Sequence, residues 1–356
     1  MEHATEHAHQ VADGPQSVIW DITYACPLRC THCYSESGRR PSRQVSHEDL
    51  LRIADAIITL GPVQVTLAGG EPLLVKGVFE VAERLTRAGI SVLVYTGGWN
   101  FRPWMTEELA RVCGRVVVSV DGPTPEVHDR IRGRAGSFGR AMRALALLED
   151  GARERDRRAD RPLPFAVDCA VVRSNIDRLE EFCTDVLPRF PHLSSLDFGA
   201  AVPSGLGSRA GYAEHELLTD EQLARLGSEE QRARLQSLAP ATVRVGTSTN
   251  FSLQMNPEQV ARGLDFQSLQ VEPDGQVRAM LIYEGTVGSL LEEPPAELWR
   301  RAVERWNDPF VTEALSDAGT MRSWAEAVRR LDYHFGSAEV RARIDRRPAF
   351  VAPATK

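Results

Sequence analysis

Short apolar runs alternate along this chain with longer amphipathic segments. The apolar runs predict strands at 18–23, 63–68, 91–96, 116–120, 165–172 and 195–201. The amphipathic segments predict helices near 47–59, 77–88, 106–113, 137–150 and 175–187. Ser46 is the expected N-cap of the first helix, and Asn175 that of the last. Repeated strand–helix alternation indicates parallel strands joined by right-handed crossovers.

This alternation is compatible with an open doubly wound sheet and with a barrel. The glycine-rich fingerprint of dinucleotide-binding folds does not follow the first strand, where a cysteine-containing loop stands instead. The sequence therefore favours an α/β fold with a partial (β/α)6 TIM-like barrel over residues 17–207, preceded by a flexible tail at 1–16.

The character of the chain changes after this barrel. Residues 151–162, still within the barrel, are interpreted as a polar connector. Beyond it, the pattern predicts a charged helix at 219–238, a strand at 243–249, two strands over 268–283 joined by an Asp-Gly turn, and helices near 295–305 and 320–333. We expect a small α+β extension over 208–347 and a tail at 348–356.

Charge and hydropathy exclude some classes of protein. The 356 residues carry a net charge of −7, which argues against binding to nucleic acid. No apolar stretch approaches the roughly 18 residues of a membrane span. The N-terminus also lacks the basic and apolar regions of a signal peptide, so we expect a cytoplasmic protein.

The strongest chemical signal is the spacing of Cys26, Cys30 and Cys33 directly after the first strand. One loop with these spacings can place three thiolates around three irons of an iron–sulfur cubane, leaving one iron open. The alternative is a zinc site with His32 as fourth ligand, but His32 lies between two ligand cysteines and would have difficulty turning inward. The other cysteines, Cys113, Cys169 and Cys183, are explained as small buried hydrophobes, with a hydrogen-atom donor as the alternative.

This cysteine loop, followed by the aromatic Tyr34, resembles that of the radical SAM superfamily. The resemblance implies that Cys26, Cys30 and Cys33 bind one [4Fe–4S] cluster, whose open iron chelates S-adenosylmethionine. One-electron reduction by an external carrier, a flavodoxin or ferredoxin, would then release a 5′-deoxyadenosyl radical. Tyr34 would lie near the adenine.

Further motifs extend the resemblance over residues 17–207. Gly69-Gly70-Glu71-Pro72 would hold the amino group of methionine, since glycines allow close approach and a carboxylate attracts an ammonium. Ser119 and Asp121 would contact the ribose and the methionine, and Arg140 would pair with the methionine carboxylate unless it is a surface arginine. Residues 96–98, Thr-Gly-Gly, depart from the Thr-Asn-Gly common in relatives.

Two segments narrow the resemblance. Residues 128–140 are typical of the branch that modifies peptides and proteins. Residues 271–277 and 288–290, with Trp299, resemble a SPASM or Twitch extension. Such extensions bind auxiliary clusters through cysteines, but this chain has none after Cys183. We therefore expect a SPASM-like scaffold without an auxiliary cluster.

Two carboxylates are candidates for contact with the substrate. In the fifth strand, alternation of bulky and small residues places Asp168 on the inner face, and the same argument places Asp197 there in the sixth. A carboxylate in a lumen is costly to bury without a partner. Asp168 and Asp197 would contact the substrate or accept a proton, or else pair with Arg173 or another arginine.

The sequence thus predicts a radical enzyme that abstracts a hydrogen from its substrate. The resemblance favours a ribosomally synthesised peptide, modified by crosslinking, oxidation or epimerisation. Only about sixteen residues precede the first strand, so a separate protein could bind the leader of that peptide. The alternative is a dehydrogenase or epimerase of a sugar, an aminocyclitol or another small natural product.

Overall fold

The computed structural model describes residues 13–262 and 267–352. A single sheet forms its centre. Its strands are β1 (Ser17–Thr23), β2 (Gln64–Gly69), β3 (Ser91–Thr96), β4 (Arg115–Ser119), β5 (Phe165–Val171), β6 (Ser195–Ala200), β7 (Arg244–Ser248), β8 (Ser268–Val271), β9 (Gln276–Arg278) and β10 (Thr286–Ser289).

The sheet confirms the partial barrel and extends it at both edges. Its order is β10-β9-β8-β1-β2-β3-β4-β5-β6-β7, and β1 to β6 are parallel. Beyond the six predicted strands, β7 pairs in parallel with β6, and β8 pairs in parallel with β1. The segment after residue 208 therefore does not form a separate sheet, because its strands continue the sheet of the barrel. Since β10 and β7 are the two ends, the barrel is open.

The sheet is accompanied by α-helices. They are α1 (His47–Leu60), α2 (Val78–Arg87), α3 (Met105–Val112), α4 (Pro125–Arg132), α5 (Ser137–Arg158), α6 (Leu179–Glu181), α7 (Tyr212–His215), α8 (Asp220–Gly227), α9 (Glu229–Leu238), α10 (Pro257–Ala261), α11 (Pro295–Trp306), α12 (Pro309–Leu315), α13 (Met321–Phe335) and α14 (Ala338–Asp345). Ser46 caps α1 as predicted, accepting from the backbone N–H of Asp49. No helix in these residues combines the length and apolar character that crossing a bilayer requires.

Three predictions of local structure are wrong. Residues 151–158, interpreted as a connector, continue α5, and their charges pair along it, as Arg158 does with Glu154. Asn175 does not cap a helix, because its side chain is used by neighbouring strands; short 3₁₀, α and π turns follow over 176–189. The charged helix at 219–238 is divided at Ser228, which caps α9.

Side-chain burial follows the predicted alternation. In β5, Val167, Cys169 and Val171 lie in the core beneath the helices, while Asp168 and Ala170 on the inner face are only partly buried. In β6, Leu196 and Phe198 are likewise buried and Asp197 is not. In β5 and β6 the inner face thus carries small and polar residues.

Both predicted tails are partly ordered. The backbone of Gln16 bonds to Gln267 and Val63, which extends β1. Phe350 bonds through its N–H to Ala210 O and packs edge-on against Tyr212. The rest of these predictions, residues 1–12 and 353–356, falls outside the described residues.

Candidate active site

The cysteine loop leaves β1 at the carboxyl edge of the sheet and is fixed there by α4. The N–H groups of Arg29 and Thr31 donate to the carbonyls of Arg132 and Ile131, at 3.0 and 2.8 Å. Cys26, Cys30 and Cys33 are all free thiols. The sequence placed these three residues together, and the structure presents them on one anchored loop.

The thiols are available as ligands of a cluster. Burial raises the pKa of Cys26 to about 12 and that of Cys30 to about 11, the latter against the opposing charge of Arg132. Arg132 Nη1 lies 3.7 Å from Cys30 Sγ, and Ser35 Oγ lies 3.6 Å from Cys33 Sγ. Such thiols stay protonated until a metal displaces the proton. Three free thiols with two polar neighbours fit an iron–sulfur cluster held by three thiolates.

A zinc site is not what this geometry supports. In residues 13–262 and 267–352, no three His, Cys, Asp or Glu side chains converge on a point where a single ion could bind. His32 turns away from the neighbouring cysteines, and its Nε2 lies 2.9 Å from Asp121 Oδ2.

Asp121, just beyond β4, is the centre of a buried polar clamp. Arg132 Nη2 donates to its Oδ1 at 2.9 Å, and the N–H of Ala170 donates to the same oxygen at 3.0 Å. Although burial opposes ionisation, Arg132 and His32 hold the pKa of Asp121 well below its usual range. The carboxylate therefore joins β4, β5, α4 and the cysteine loop. Every contact of this carboxylate given by the structure is to protein, so its predicted contact with the cofactor stays a prediction.

Two residues that sequence reasoning missed complete this clamp. Asn175 Nδ2 donates to Asp121 O and Ala170 O, both at 2.9 Å. His128 Nδ1 accepts from the N–H of Asp121 at 3.1 Å. Burial, assisted by the charge of Arg132, lowers the pKa of His128 to about 4, so the imidazole is neutral. The signal was present in the segment 128–132, where a histidine and an arginine share one helix face.

Glu71 forms a second buried connection, between the exits of β2 and β3. Its carboxylate accepts from Thr96 Oγ1 at 2.8 Å, from the N–H of Gly97 at 3.0 Å and from that of Leu73 at 3.3 Å. Burial raises the pKa of Glu71 to about 7, against the effect of these bonds. The carboxylate is thus occupied by the protein, and its predicted attraction for an ammonium remains untested.

The glycines around Glu71 make this packing possible. A Cβ on Gly70 would lie 2.1 Å from the carbonyl oxygen of Ala25, so no other residue fits there. A Cβ on Gly97 would lie 2.7 Å from Leu28 Cδ1. Leu28 therefore fills the space in which the asparagine of Thr-Asn-Gly would begin its side chain, and glycine at position 97 leaves room for it.

Tyr34 is tied to the C-terminal strands. Its hydroxyl donates to Asp21 Oδ1 at 2.6 Å, and Gln270 Nε2 of β8 donates to Asp21 Oδ2 at 2.7 Å. Sequence reasoning missed Asp21 and Gln270, although alternation in β1 could have placed Asp21 on the inner face. The extension thus reaches the residue expected beside the adenine.

The inner face brings the two predicted carboxylates side by side. Ser119, Asp168 and Asp197 lie opposite one another in the register of β4, β5 and β6. The carboxylate of Asp168 makes no hydrogen bond or ion pair within residues 13–262 and 267–352. Burial raises its pKa to about 7, with a further contribution from the charge of Asp121. Burial and the charge of Asp168 also raise the pKa of Tyr95.

Asp197 differs from Asp168 because it has a partner. Arg244 Nη2 of β7 lies 2.9 and 3.2 Å from its two oxygens, and Ser195 Oγ donates to it at 2.9 Å. The structural pairing considered as the alternative is thus found for Asp197, with Arg244. Arg173 instead donates to the carbonyls of Leu217 and Glu214.

Among the remaining candidates, Cys169 touches the Asp121 clamp, because its Sγ lies 3.7 Å from Asn175 Nδ2. Arg140 is exposed near the start of α5, with its guanidinium 5.4 Å from the centre of the Trp99 ring. Its contact with the methionine carboxylate stays a prediction. Cys113, Cys169 and Cys183 are buried in the core, as expected of small hydrophobes.

The site thus combines an open, largely parallel sheet with three free cysteines in the loop after its first strand. Residues 20–153, which contain this cysteine loop, match the model of the Radical SAM superfamily.

Curated relatives resemble part of the chain. It is 34% identical over 171 residues to the mycofactocin maturase MftC of Mycolicibacterium smegmatis, covering 48% of this chain and 41% of the relative. It is 31% identical over 172 residues to an AdoMet-dependent heme synthase of Methanosarcina barkeri, covering 48% and 46%. The chain thus spans less than half the length of these relatives.

Solved structures resemble nearly the whole chain in fold. Streptococcus suis SuiB bound to its precursor peptide SuiA aligns with a TM-score of 0.62 at 13% identity, covering 88% of this chain and 71% of SuiB. The protein anSMEcpe with bound AdoMet aligns with a TM-score of 0.60 at 16% identity, covering 93% and 99%. At these identities the likeness establishes the fold alone.

Proposed function

We propose that this protein is an enzyme that cleaves S-adenosylmethionine reductively and removes a hydrogen atom from a ribosomally synthesised peptide. One observation carries the proposal: the loop that bears the three free thiols of Cys26, Cys30 and Cys33 is bound to the Asp121–Arg132 clamp at the carboxyl edge of the sheet. When bound there, a [4Fe–4S] cluster supplies the single electron that converts S-adenosylmethionine into methionine and a 5′-deoxyadenosyl radical.

The residues of the chain have separate roles in this proposal. The thiolates bind iron, and Arg132 offsets their negative charge at Cys30. The Gly69-Gly70-Glu71-Pro72 turn brings its backbone to the methionine end of the cofactor, and the ring of Tyr34 lies beside the adenine. Ser119 is the further proposed contact, whereas Arg140, which is exposed near the start of α5, is assigned to the surface alternative. Asp168 contacts the substrate or accepts its proton, since its carboxylate has no partner in the described chain.

A peptide substrate is supported by the relatives. Besides MftC, the chain resembles the sporulation killing factor maturation protein SkfB of Bacillus subtilis, at 29% identity over 168 residues. SuiB was solved with a precursor peptide. An external flavodoxin or ferredoxin, a separate leader-binding protein and a cytoplasmic location belong to the same proposal.

A second candidate is a reaction on a small molecule, by dehydrogenation or epimerisation. The similarity to an AdoMet-dependent heme synthase favours it, because that relative is named for a product that is not a peptide. Co-expression with a candidate precursor peptide separates the two: a mass shift in the peptide supports the first, and an unmodified peptide with a modified metabolite supports the second.

Anaerobic reconstitution tests the radical chemistry itself. We expect about four irons and four sulfides per chain in the wild type, and almost none in the triple variant C26A/C30A/C33A. The matched control is C113A, since Cys113 is buried outside the loop. With S-adenosylmethionine and a reductant, wild type and control should form 5′-deoxyadenosine. Full iron content in the triple variant, or no 5′-deoxyadenosine from the loaded wild type, would contradict the proposal.

A further inference from the structure

Arginines cover the solvent side of the cysteine loop. Arg29 Nη1 donates to the carbonyl of Cys26 at 2.9 Å, and Arg39 Nη1 donates to that of Cys30 at 3.4 Å. Arg134, just after α4, donates to the carbonyl of Pro27. The carbonyls held in this way include those of two cluster-ligand candidates.

These arginines form one continuous surface with the loop after β3. The guanidinium of Arg134 lies 3.7 Å from the centre of the Trp99 ring, and that of Arg140 lies 5.4 Å from it. Arg39 Nη2 also donates to the carbonyl of Arg29 at 2.5 Å. We call this surface, formed by Arg29, Arg39, Arg134, Arg140 and Trp99, the arginine face.

The arginine face carries positive charge that the chain does not neutralise. Its four arginines are exposed, and within the two described stretches none lies within 4.0 Å of a carboxylate oxygen. Asp129, the nearby acid of α4, instead accepts from the backbone of Gly136 and Phe138.

At the C-terminal end of α5, by contrast, exposed arginines form ion pairs with an acid of the same helix. Arg157 and Arg158 both pair there with Glu154, at 2.9 and 2.7 Å. The whole chain has a net charge of −7, so the arginine face opposes its overall sign.

We propose that the arginine face is the docking surface for an acidic protein that carries one electron on a flavin or an iron–sulfur centre. This inference rests on the proposed function, which needs one electron for each S-adenosylmethionine cleaved. The carrier is oxidised by one electron, the acceptor held by the thiols is reduced by one, and no bond forms in the transfer. A partner that touches Arg29 or Arg39 lies next to the backbone of Cys26 and Cys30.

Charge favours this occupant over an acidic segment of a substrate peptide. The inner face, where a substrate would react, carries the carboxylates of Asp168 and Asp197. The positive surface lies on the solvent side of the cysteine loop instead. Complementary charge is the feature by which carrier proteins find partners quickly, and it weakens with salt.

Binding to a purified, oxidised flavodoxin tests the proposal on the reconstituted protein. The variant R134E/R140E reverses two charges of the arginine face, and R157E/R158E makes the same change in net charge at the far end of α5. We expect the face variant to bind at least tenfold more weakly at low salt, the control to bind within twofold of wild type, and R134K/R140K to retain most of the affinity. The difference should shrink as salt rises.

A replacement variant and a comparison of two reductants separate loss of docking from loss of the cluster. If R134E/R140E loses iron because Arg134 no longer holds Pro27, then R134Q/R140E replaces it, since glutamine keeps a hydrogen-bond donor at position 134. Reduction by dithionite should reach the same extent in every variant, while reduction by flavodoxin hydroquinone should slow in the face variant alone.

Equal flavodoxin affinity in wild type and both face variants would overturn the proposal. So would unchanged flavodoxin binding combined with lost binding of a glutamate-rich peptide, which would assign the face to acidic peptides. A wild type that binds and is reduced by flavodoxin, yet forms no 5′-deoxyadenosine, would refute the proposed function and leave the docking surface standing.

Discussion

The carboxyl edge of the sheet and its inner face treat buried carboxylates differently. At the edge, Asp121 and Glu71 each accept at least three hydrogen bonds or ion pairs from the protein. On the inner face, Asp168 accepts none from the described residues, and Asp197 accepts from Ser195 and pairs with the exposed Arg244. Because desolvating an unpaired carboxylate is costly, the edge is built to position the cysteine loop, and the inner face keeps a carboxylate for a ligand.

Among the predicted changes, breaking the Asp121 clamp should lower the free energy of unfolding most. In R132M the carboxylate of Asp121 stays buried but loses its main counter-charge, so we expect the free energy of unfolding to fall by about 3–5 kcal/mol. Cys30 also loses its donor, and reconstituted iron should fall with it. Denaturant unfolding and iron analysis measure the two effects.

The matched control for R132M is R158M, which removes an exposed ion pair with Glu154. That change should cost at most about 1 kcal/mol and leave iron content unchanged. Similar losses in the two variants would mean that the clamp does not organise the edge.

Removing the hydrogen bonds of Glu71 should give the next largest decrease in the free energy of unfolding. E71A leaves Thr96, Gly97 and Leu73 without their acceptor in a buried place, so we expect a loss of about 2–3 kcal/mol. E71Q keeps one carbonyl oxygen and should lose about half as much. The free energies of unfolding of wild type, E71A and E71Q are compared at pH 8. At that pH the wild-type Glu71 is ionised, because its pKa is about 7. A loss below about 1 kcal/mol in E71A would place this carboxylate with Asp168, as a group open to ligands.

The free energy of unfolding should depend on pH through Asp168, whose carboxylate has no partner among the described residues. Its pKa is raised to about 7 by burial, so the folded state holds a proton that the unfolded state has released above about pH 4. Stability due to this group is therefore complete below pH 4 and is lost as the pH rises through 7. Relative to D168N, the wild type should lose about 2–3 kcal/mol between pH 5 and pH 8.

Calorimetric unfolding of both proteins across this range gives the difference directly. Other groups with raised pKa values, such as Glu71, are common to both proteins and cancel. A difference that stays constant with pH would mean that Asp168 has a partner and is ionised throughout, and the contrast between edge and inner face would fail.

The sequence predicted the strands of the barrel and the thiols more completely than the contacts around them. Local patterns suffice for β1 to β6 and for the spacing of the cysteines, because alternation and short spacing depend only on neighbours in the chain. Pairing of β8 with β1 and the contact of Gln270 with Asp21 join residues about 250 positions apart, which no local pattern encodes.

Because local patterns do not encode long-range contacts, the sequence also did not predict the partners of individual carboxylates. Alternation correctly put Asp168 and Asp197 on one face, but only tertiary structure decides that Arg244 reaches one of them and no described residue reaches the other. Likewise, the motif around Glu71 was expected to face a ligand, whereas folding brings Thr96 and Gly97 to its carboxylate.

The smallest expected effect concerns Asp197. Its partner Arg244 is more than half exposed, so solvent and salt weaken their attraction. In a double-mutant cycle with D197N and R244M, we expect a coupling of about 0.2–1 kcal/mol that decreases with added salt. Coupling well above 2 kcal/mol, insensitive to salt, would make this pair as structural as the Asp121 clamp. A weak coupling leaves Asp197 free to exchange Arg244 for a cationic group of a ligand. The neighbouring carboxylate of Asp168 has no partner to exchange among the residues that the structure describes.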